Sequence, residues 1–190
     1  MNLRTIALAA SALTAAFVLA GCAGTPPGMD HGSSNSASEF NDADVTFTVA
    51  MIAHHQQAID MADLVLAKDE IDQRVVDLAE EIKAAQGPEI EAMTSWLADW
   101  GQSVDSGMDG MDHGDGMMSG ADMAALESAT GPEASRLFLE QMIEHHQGAI
   151  AMAETETDTG QNDDALALAQ TIVEAQTAEI ATMQGILAAL

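Results

Sequence analysis

The side chains best suited to chemistry are histidines and methionines that recur in one pattern, Met-x-x-His-His. The pattern occupies residues 51–55 and again residues 142–146. Thioether sulfur is a soft ligand and imidazole nitrogen a borderline one, so together they suit Cu(I). Residues three or four apart share one face of a helix, so each copy presents these side chains together. The candidate copper ligands, each copy including one later methionine, are Met51, His54, His55, Met61, Met142, His145, His146 and Met152.

The choice among metals depends on the residue three positions before the first histidine of each pair. Ferritin-like di-iron bundles place Glu there, in a Glu-x-x-His motif, whereas this chain has Met51 and Met142. That exchange favours copper over iron. Glu89 and Glu179 keep a di-metal oxidase open as an alternative, and zinc would leave the methionines without a role. The possible secondary ligands on the second helix of each repeat are Glu89, Met93, Glu179 and Met183.

Core packing is a simpler explanation for some of these residues. Methionine fills irregular cores well, and at helical spacing it is more often a packing residue than a ligand. A buried His-His pair fits that explanation less well, because burying two imidazoles is costly unless each finds a partner. Two copies of the pair favour metal binding, while a metal-free helical lipoprotein that acts through protein contacts stays as a further alternative.

A second Met/His pattern lies outside the helical segments. Gly-Met-Asp-His-Gly occurs at residues 28–32 and at residues 110–114, and further methionines surround the second copy. Methionines in a loop rich in Gly and Asp have no core to fill, so we expect them to capture Cu(I) and pass it on. These possible secondary ligands are Met29, His31, Met108, Met111, His113, Met117 and Met118.

The motif copies belong to a longer internal repeat. Residues 47–62 match residues 138–153, and residues 78–93 match residues 168–183, in register. The apolar spacing in each segment is helical, and residues that favour strands are scarce. The repeat is therefore a helix pair. Two such αα-hairpins joined by a long crossover loop predict an all-α four-helix bundle.

The same spacing predicts where the elements lie. Gly87-Pro88 interrupts the second helix, but the matching Ala178 lies in an uninterrupted one, so we expect the second helix to continue through a kink. The segment between the hairpins is rich in Gly, Asp and Met and is expected to be mostly loop. Helices are expected over residues 40–67, 71–100, 131–155 and 164–190. The bundle then covers residues 40–190, with repeat one at 40–100, the loop at 101–130 and repeat two at 131–190.

The N-terminal residues predict export. Arg4 precedes an apolar stretch too short to span a membrane, which ends in Leu19-Ala20-Gly21-Cys22. This tetrapeptide resembles the bacterial lipoprotein box, in which the cysteine is lipidated and becomes the new N-terminus. We therefore expect a signal peptide at residues 1–22, a flexible tether at residues 23–39 and a lipoprotein on the extracytoplasmic side of the cell membrane.

The net charge of −26, with only five Lys and Arg, limits the partners. Such a chain repels nucleic acid phosphates and anionic membrane surfaces and attracts cations. We expect copper ions as the ligand, another copper-handling protein as a partner, no nucleic acid, and membrane contact only through the lipid anchor. The sequence has no Gly-x-Ser-x-Gly motif and no Gly-rich phosphate loop, so no enzymatic reaction is expected.

The chain resembles the bacterial family named domain of unknown function 305. The pattern that carries the resemblance is Met-x-x-His-His-Gln-x-Ala-Ile-x-Met-Ala, followed by a helix with Gln-x-x-Glu-Ile-x-x-Met, and both halves match it over residues 40–190. The resemblance implies a ferritin-like four-helix bundle, export and, in some members, copper binding by the eight candidate ligands. The Met/His crossover has no counterpart in that pattern. The prediction is an exported copper-binding lipoprotein that sequesters or shuttles Cu(I).

Overall fold

The computed structural model describes residues 39–104 and 116–190, and helices are the only regular elements in these two stretches. The four long helices are those that the repeat predicts, and the all-α prediction is confirmed. The helices in chain order are α1 (Asp42–Leu66), α2 (Gln73–Asp99), α3 (Gly120–Ser128), α4 (Gly131–Thr159) and α5 (Asp163–Leu187). None of them is long and apolar enough to cross a membrane.

Side chains just before the helices fix where they begin. Asn41 caps α1, and its side-chain oxygen accepts hydrogen bonds from the backbone N–H groups of Ala43 and Asp44 at 2.7 and 3.1 Å. The Asp44 carboxylate in turn accepts the Asn41 N–H. This capping box satisfies N–H groups that have no partner within the helix. Asp72 and Asn162 cap α2 and α5, so the connection within each hairpin ends in a cap.

Helix α2 continues through Gly87 and Pro88, which confirms the predicted continuation. Proline has no backbone N–H, and inside a helix it costs about 3 kcal/mol. Ile82 before it and Met93 after it are fully buried. Packing of this face against α1 therefore offsets the missing hydrogen bond.

The crossover, predicted to be mostly loop over residues 101–130, contains a short helix, α3. Ser119 and Asp122 form a capping box at its start, and Leu126 is fully buried in the core. A helix this short shows no clear periodicity in the sequence and is marginal by itself, so the burial of Leu126 supplies most of its stability.

The long helices form a four-helix bundle in which α1 and α4 are the inner pair. Helix α1 packs on α2, α4 packs on α5, α1 packs along α4, and α2 and α5 meet only briefly. The C-terminal half of α1 shares a core cluster with Phe138 and Met142 near the start of α4. The inner helices therefore run antiparallel. The predicted fold is confirmed, with α3 added across α1 and α4.

Two apolar clusters fill the bundle, and the repeat relates one to the other. Ala58 and Met142 belong to the first core cluster, and their repeat counterparts Ala149 and Met51 belong to the second. The buried members of the first core cluster are Ala58, Met61, Ala62, Val65, Val75, Leu78, Ala79, Ile82, Met118, Leu126, Phe138, Leu139, Met142, Met183 and Ile186. Those of the second core cluster are Phe47, Val49, Met51, Ile52, Met93, Leu97, Ala149, Ala153, Ala169 and Ile172.

Candidate metal centre

The four repeat histidines form a buried layer between the two core clusters. On α1 they follow Met51 of the second cluster and precede Ala58 of the first, and on α4 the order of the clusters is reversed. Each ring is at most 1% exposed. We call His54, His55, His145 and His146 the histidine layer. Because imidazole is polar, its burial at this depth requires specific partners.

The histidine layer joins the two repeats at one contact. The rings of His54 on α1 and His145 on α4 lie with centroids 3.6 Å apart and planes tilted by 38°. These two residues occupy matching positions of the repeat. The first histidines of the two motif copies therefore meet between the two core clusters.

The other histidine of each pair contacts a carboxylate of its own hairpin. His55 Nε2 lies 2.7 Å from Glu89 Oε2, and His146 Nε2 lies 2.6 Å from Glu179 Oε2. Both rings are fully buried, while the two glutamates are partly exposed. The contact joins α1 to α2 and α4 to α5, so it occurs once in each repeat.

Several ring nitrogens of the layer have no hydrogen-bond partner within the described residues. They are Nδ1 of His55, Nδ1 of His146 and both nitrogens of His145. A buried polar atom left without a partner costs about 1–3 kcal/mol. A neutral imidazole nitrogen is also a common metal ligand. The layer therefore fits a metal ion bound by nitrogens from both repeats.

His145 is held in the neutral form that a metal ion requires. Burial lowers its pKa well below the ordinary value of 6.5, and positive charge on His54, His146 or His55 would lower it further. The ring is consequently neutral at neutral pH, and a nitrogen lone pair is available for coordination.

The candidate methionine ligands lie beside the layer but are not equivalent. Met51 and Met142 are fully buried, one turn before His54 and His145. Met61 is fully buried in the first core cluster, whereas its counterpart Met152 is only partly buried against the second. The secondary candidates Met93 and Met183 are fully buried, one in each cluster. All of these sulfurs except that of Met152 are thus shielded from water.

Glu89 and Glu179 each contact one histidine ring. Each is engaged by the ring of its own repeat, whereas a di-metal oxidase needs carboxylates that bridge two ions. Within residues 39–104 and 116–190, no three His, Cys, Asp or Glu side chains are grouped so as to share a metal ion. The nearest soft donors along the inner helices are the thioethers of Met51 and Met142, one turn before His54 and His145.

Comparison with known proteins gives a family. The model of the domain of unknown function DUF305 matches residues 44–187. This chain belongs to the DUF305 family. The matched stretch contains both histidine pairs and both glutamates, so the resemblance carried by the motif is confirmed. No curated protein sequence matches the chain.

Solved DUF305 structures share the fold. A DUF305 protein from Streptomyces coelicolor, assigned as secreted, is 34% identical over 77% of this chain and 91% of its own, with a TM-score of 0.71. A DUF305 fragment from Deinococcus radiodurans is 34% identical over 79% and 98%, with a TM-score of 0.72. CopM in its Cu(I)-bound form is 33% identical over 75% and 93%, with a TM-score of 0.62. CopM has also been solved with Cu(II) and with Ag.

The loop methionines of this DUF305 protein only partly match the sequence prediction. Met118 is buried in the first core cluster, and its backbone N–H and C=O are both bound by the Gln57 side chain. The premise that these methionines have no core to fill is therefore wrong for Met118. Met117 is half-buried. The remaining candidates, together with the lipidation site, lie outside the described residues: Cys22, Met29, His31, Met108, Met111 and His113.

Gln86 and Gln176 are two further buried polar residues, and they belong to the Gln-x-x-Glu pattern of the two repeats. They occupy matching positions one turn before the two glutamates, and both are almost fully buried. In each, the side-chain amide oxygen has no hydrogen-bond partner within the described residues. Their identity in both repeats is the sequence signal that marks them, because a solvent-facing glutamine would be free to differ between the copies.

Proposed function

We propose that this protein binds Cu(I) at the histidine layer and sequesters it or shuttles it to another copper-handling protein outside the cytoplasm. The observation that carries the proposal is the pair of buried His–Glu contacts, each with a second ring nitrogen that has no partner within the described residues. An imidazole held by a carboxylate on one nitrogen and available on the other is typical of metal-bound histidine.

Two further arguments support copper as the metal. Met51 and Met142 supply soft thioether sulfur one turn from His54 and His145, and sulfur with imidazole suits Cu(I) better than Fe or Zn. The similarity to CopM points the same way, since CopM has been solved with Cu(I), Cu(II) and Ag bound. Copper is the cargo in this proposal, and no reaction is assigned to the protein.

We also propose that the protein is exported and held at the membrane by lipid on Cys22. The lipoprotein box in the sequence supports the anchor, and the similarity to the Streptomyces protein assigned as secreted supports export. Replacing Cys22 with Ser should move the protein from the membrane fraction to the soluble extracytoplasmic fraction. Retention of the variant in the membrane fraction would contradict the anchor.

The copper proposal is tested by anaerobic competition titration of the metal-free protein with a Cu(I) chelator. We expect tight binding by the native chain, and loss of it when His54, His55, His145 and His146 are all replaced with Ala. The matched control replaces the exposed neighbours Gln56 and Gln147 with Ala and should bind as the native chain does. Retained affinity in the four-histidine variant would refute the histidine layer as the site.

The sulfur contribution needs its own variant, because Met51 and Met142 also pack in the core. Replacing both with Leu keeps the apolar volume and removes the thioether, and such exchanges usually cost less than about 1.5 kcal/mol of stability. We expect weaker Cu(I) binding with a nearly unchanged midpoint of urea unfolding.

Oxygen uptake by the native protein with Fe(II) or Cu(I) distinguishes the proposed role from that of a di-metal oxidase. We expect uptake no faster than that of the free metal.

A further inference from the structure

We propose that Glu89 and Glu179 are positioning residues that hold His55 and His146 in the tautomer with the proton on Nε2, so that Nδ1 faces the copper ion as the donor atom. This inference rests on the proposed function for its copper part. It assigns to each glutamate a role in preparing the ligand and names the coordinating nitrogen of two histidines.

The first step of the argument is the hydrogen-bond distance. A carboxylate only accepts hydrogen bonds. The separation between His55 Nε2 and Glu89 Oε2 is 2.7 Å, and that between His146 Nε2 and Glu179 Oε2 is 2.6 Å. At these distances the Nε2 proton lies on the bond to the carboxylate. A neutral imidazole carries one N–H, so Nδ1 is left with its lone pair.

The second step is the burial of Nδ1. Both Nδ1 atoms are inaccessible to water and have no hydrogen-bond partner within the described residues. In the opposite tautomer, Nδ1–H would be a buried donor without an acceptor, and the Nε2 lone pair would face the carboxylate oxygen. That tautomer carries two unfavourable contacts at once. The contact with glutamate therefore selects the form whose free lone pair points away from the carboxylate.

The third step is the occurrence of the arrangement in both repeats. Glu89 extends from α2 toward α1, and Glu179 extends from α5 toward α4. The glutamate side chains are 21% and 24% exposed, whereas both rings are fully buried. The carboxylates therefore lie on the solvent side of each ring. Nδ1, the nitrogen that does not contact the carboxylate, is then the donor atom that stays buried in the protein.

The experiment begins with the metal-free full chain. Long-range ¹H–¹⁵N NMR spectra distinguish the two tautomers of each histidine. We expect the Nε2–H form at His55 and His146 in the native chain. The Glu89→Gln and Glu179→Gln variants should retain that form, because an amide oxygen still accepts the hydrogen bond. The Glu89→Ala and Glu179→Ala variants should show a mixture of both forms. Nδ1–H at either ring in the native chain would overturn the inference, whatever the protein does with copper.

Cu(I) titration of the same variants completes the test. The Ala variants should lose about 10- to 100-fold in affinity, the range known for groups that orient metal ligands, and the Gln variants should stay within about threefold of the native chain. The controls are Glu91→Ala on α2 and Glu174→Ala on α5, which remove exposed acidic charges and should leave affinity unchanged. Equal losses in the Gln and Ala variants would make the glutamates direct ligands and overturn the inference, as would no loss in the Ala variants.

The two proposals fail in different ways. If the four-histidine variant retains native affinity, the copper site is elsewhere and the proposed function fails, while the NMR result still decides the tautomer. If that variant loses binding but the metal-free native chain shows Nδ1–H at His55 or His146, the positioning role fails and the copper site stands.

Discussion

At one end of the bundle, a carboxylate in the first turn of α1 accepts hydrogen bonds from the connection between α4 and α5. Asp44 Oδ1 accepts the backbone N–H groups of Gln161 and Asn162, both at 2.9 Å. At the opposite end, a hydroxyl near the start of α4 accepts a hydrogen bond from the α1–α2 connection. Ser135 Oγ accepts the backbone N–H of Asp72 at 3.1 Å. Asp44 and Ser135 occupy matching positions of the repeat, so the same structural task is met by different chemistry.

The two ends of the bundle also differ in a buried residue of the neighbouring helix. Glu156 lies buried near the Asp44 end, whereas the matching position near the Ser135 end is Val65, also fully buried. Burial raises the pKa of Glu156 to about 8, and the Asp44 carboxyl beside it contributes to the rise. Burial also acts to raise the pKa of Asp44, but hydrogen bonds, chiefly from backbone N–H groups, outweigh it and hold the value below 3.8. At neutral pH, Asp44 is therefore ionised and Glu156 is mostly protonated.

The middle of the bundle shows no such divergence. Both histidine pairs, both glutamates and both buried glutamines are identical in the two repeats. A backbone N–H needs only an oxygen to accept its hydrogen bond, and a carboxylate or a hydroxyl both serve. A metal-binding layer needs particular donor atoms from both sides. The repeats therefore keep the same residues at the centre, where the proposed metal ligands lie, and differ at the ends, where any oxygen acceptor satisfies the backbone N–H groups.

The first prediction tests whether the two repeats contribute equally to Cu(I) binding. His54→Ala and His145→Ala should weaken Cu(I) binding equally, each by more than about 100-fold, or about 2.7 kcal/mol. The reason is that the two rings contact each other at matching positions of one layer. Competition titration of the two variants measures this. A difference of more than about tenfold between them would show that one repeat dominates the site.

A second effect, on stability and not on binding, tests whether α3 makes the two ends of the bundle differ in burial. Met61 is fully buried in the cluster that also contains Leu126 of α3, and its counterpart Met152 is only partly buried. Met61→Ala should lower the free energy of unfolding by about 2–5 kcal/mol, as removal of a buried methionine does. Met152→Ala should cost less than half as much. Urea unfolding of the metal-free variants decides the matter, and equal losses would mean that α3 adds no burial at its end.

The last effect concerns pH. The folded pKa of Glu156, about 8, lies above its ordinary value of 4.5. Its bound proton therefore stabilises the fold fully below about pH 4.5, and this stabilisation is lost as the pH rises to about 8. The slope is at most about 1.4 kcal/mol per pH unit for one proton. Asp44 acts in the opposite direction only at pH values near and below 3.8, outside a measurement from pH 5 to pH 9.

Glu156→Gln removes this titration and keeps the side-chain shape. We expect its free energy of unfolding to fall less steeply with pH than that of the native chain, so that the variant gains relative stability toward pH 9. Glu154→Gln, at an exposed position of the same helix, should keep the native slope. Parallel curves for the native chain and Glu156→Gln would contradict a raised pKa of Glu156 in the folded protein.

The sequence predicts most of the fold because its signals are local or repeated. The continuation of α2 through Pro88 follows from comparison of the two repeats. Helix α3 could not be predicted, since it depends on Leu126 reaching a core built by distant residues. The buried histidines follow from their spacing. Their pairing with Glu89 and Glu179 depends on how α2 and α5 are rotated against the inner helices, which no spacing within one helix determines.

The Asp44–Glu156 end is outside the reach of sequence reasoning for a related reason. These residues belong to different repeats and meet only because α1 and α4 run antiparallel. Gly160 belongs to the same arrangement, since a Cβ at this position would overlap the Glu156 carboxyl group. Comparison of the two repeats does not identify Asp44 and Glu156, because the matching residues, Ser135 and Val65, are different.

The contact between His54 and His145 has the form of a subunit interface with two-fold symmetry, because each residue meets its own counterpart. A single hairpin paired with a second copy of itself would place the same two rings together. In such a homodimer every substitution appears twice, at both ends. Joining the hairpins in one chain removes that restriction. One end is then free to bury the Glu156 carboxyl and the other to acquire a covering helix, while the symmetric centre stays intact.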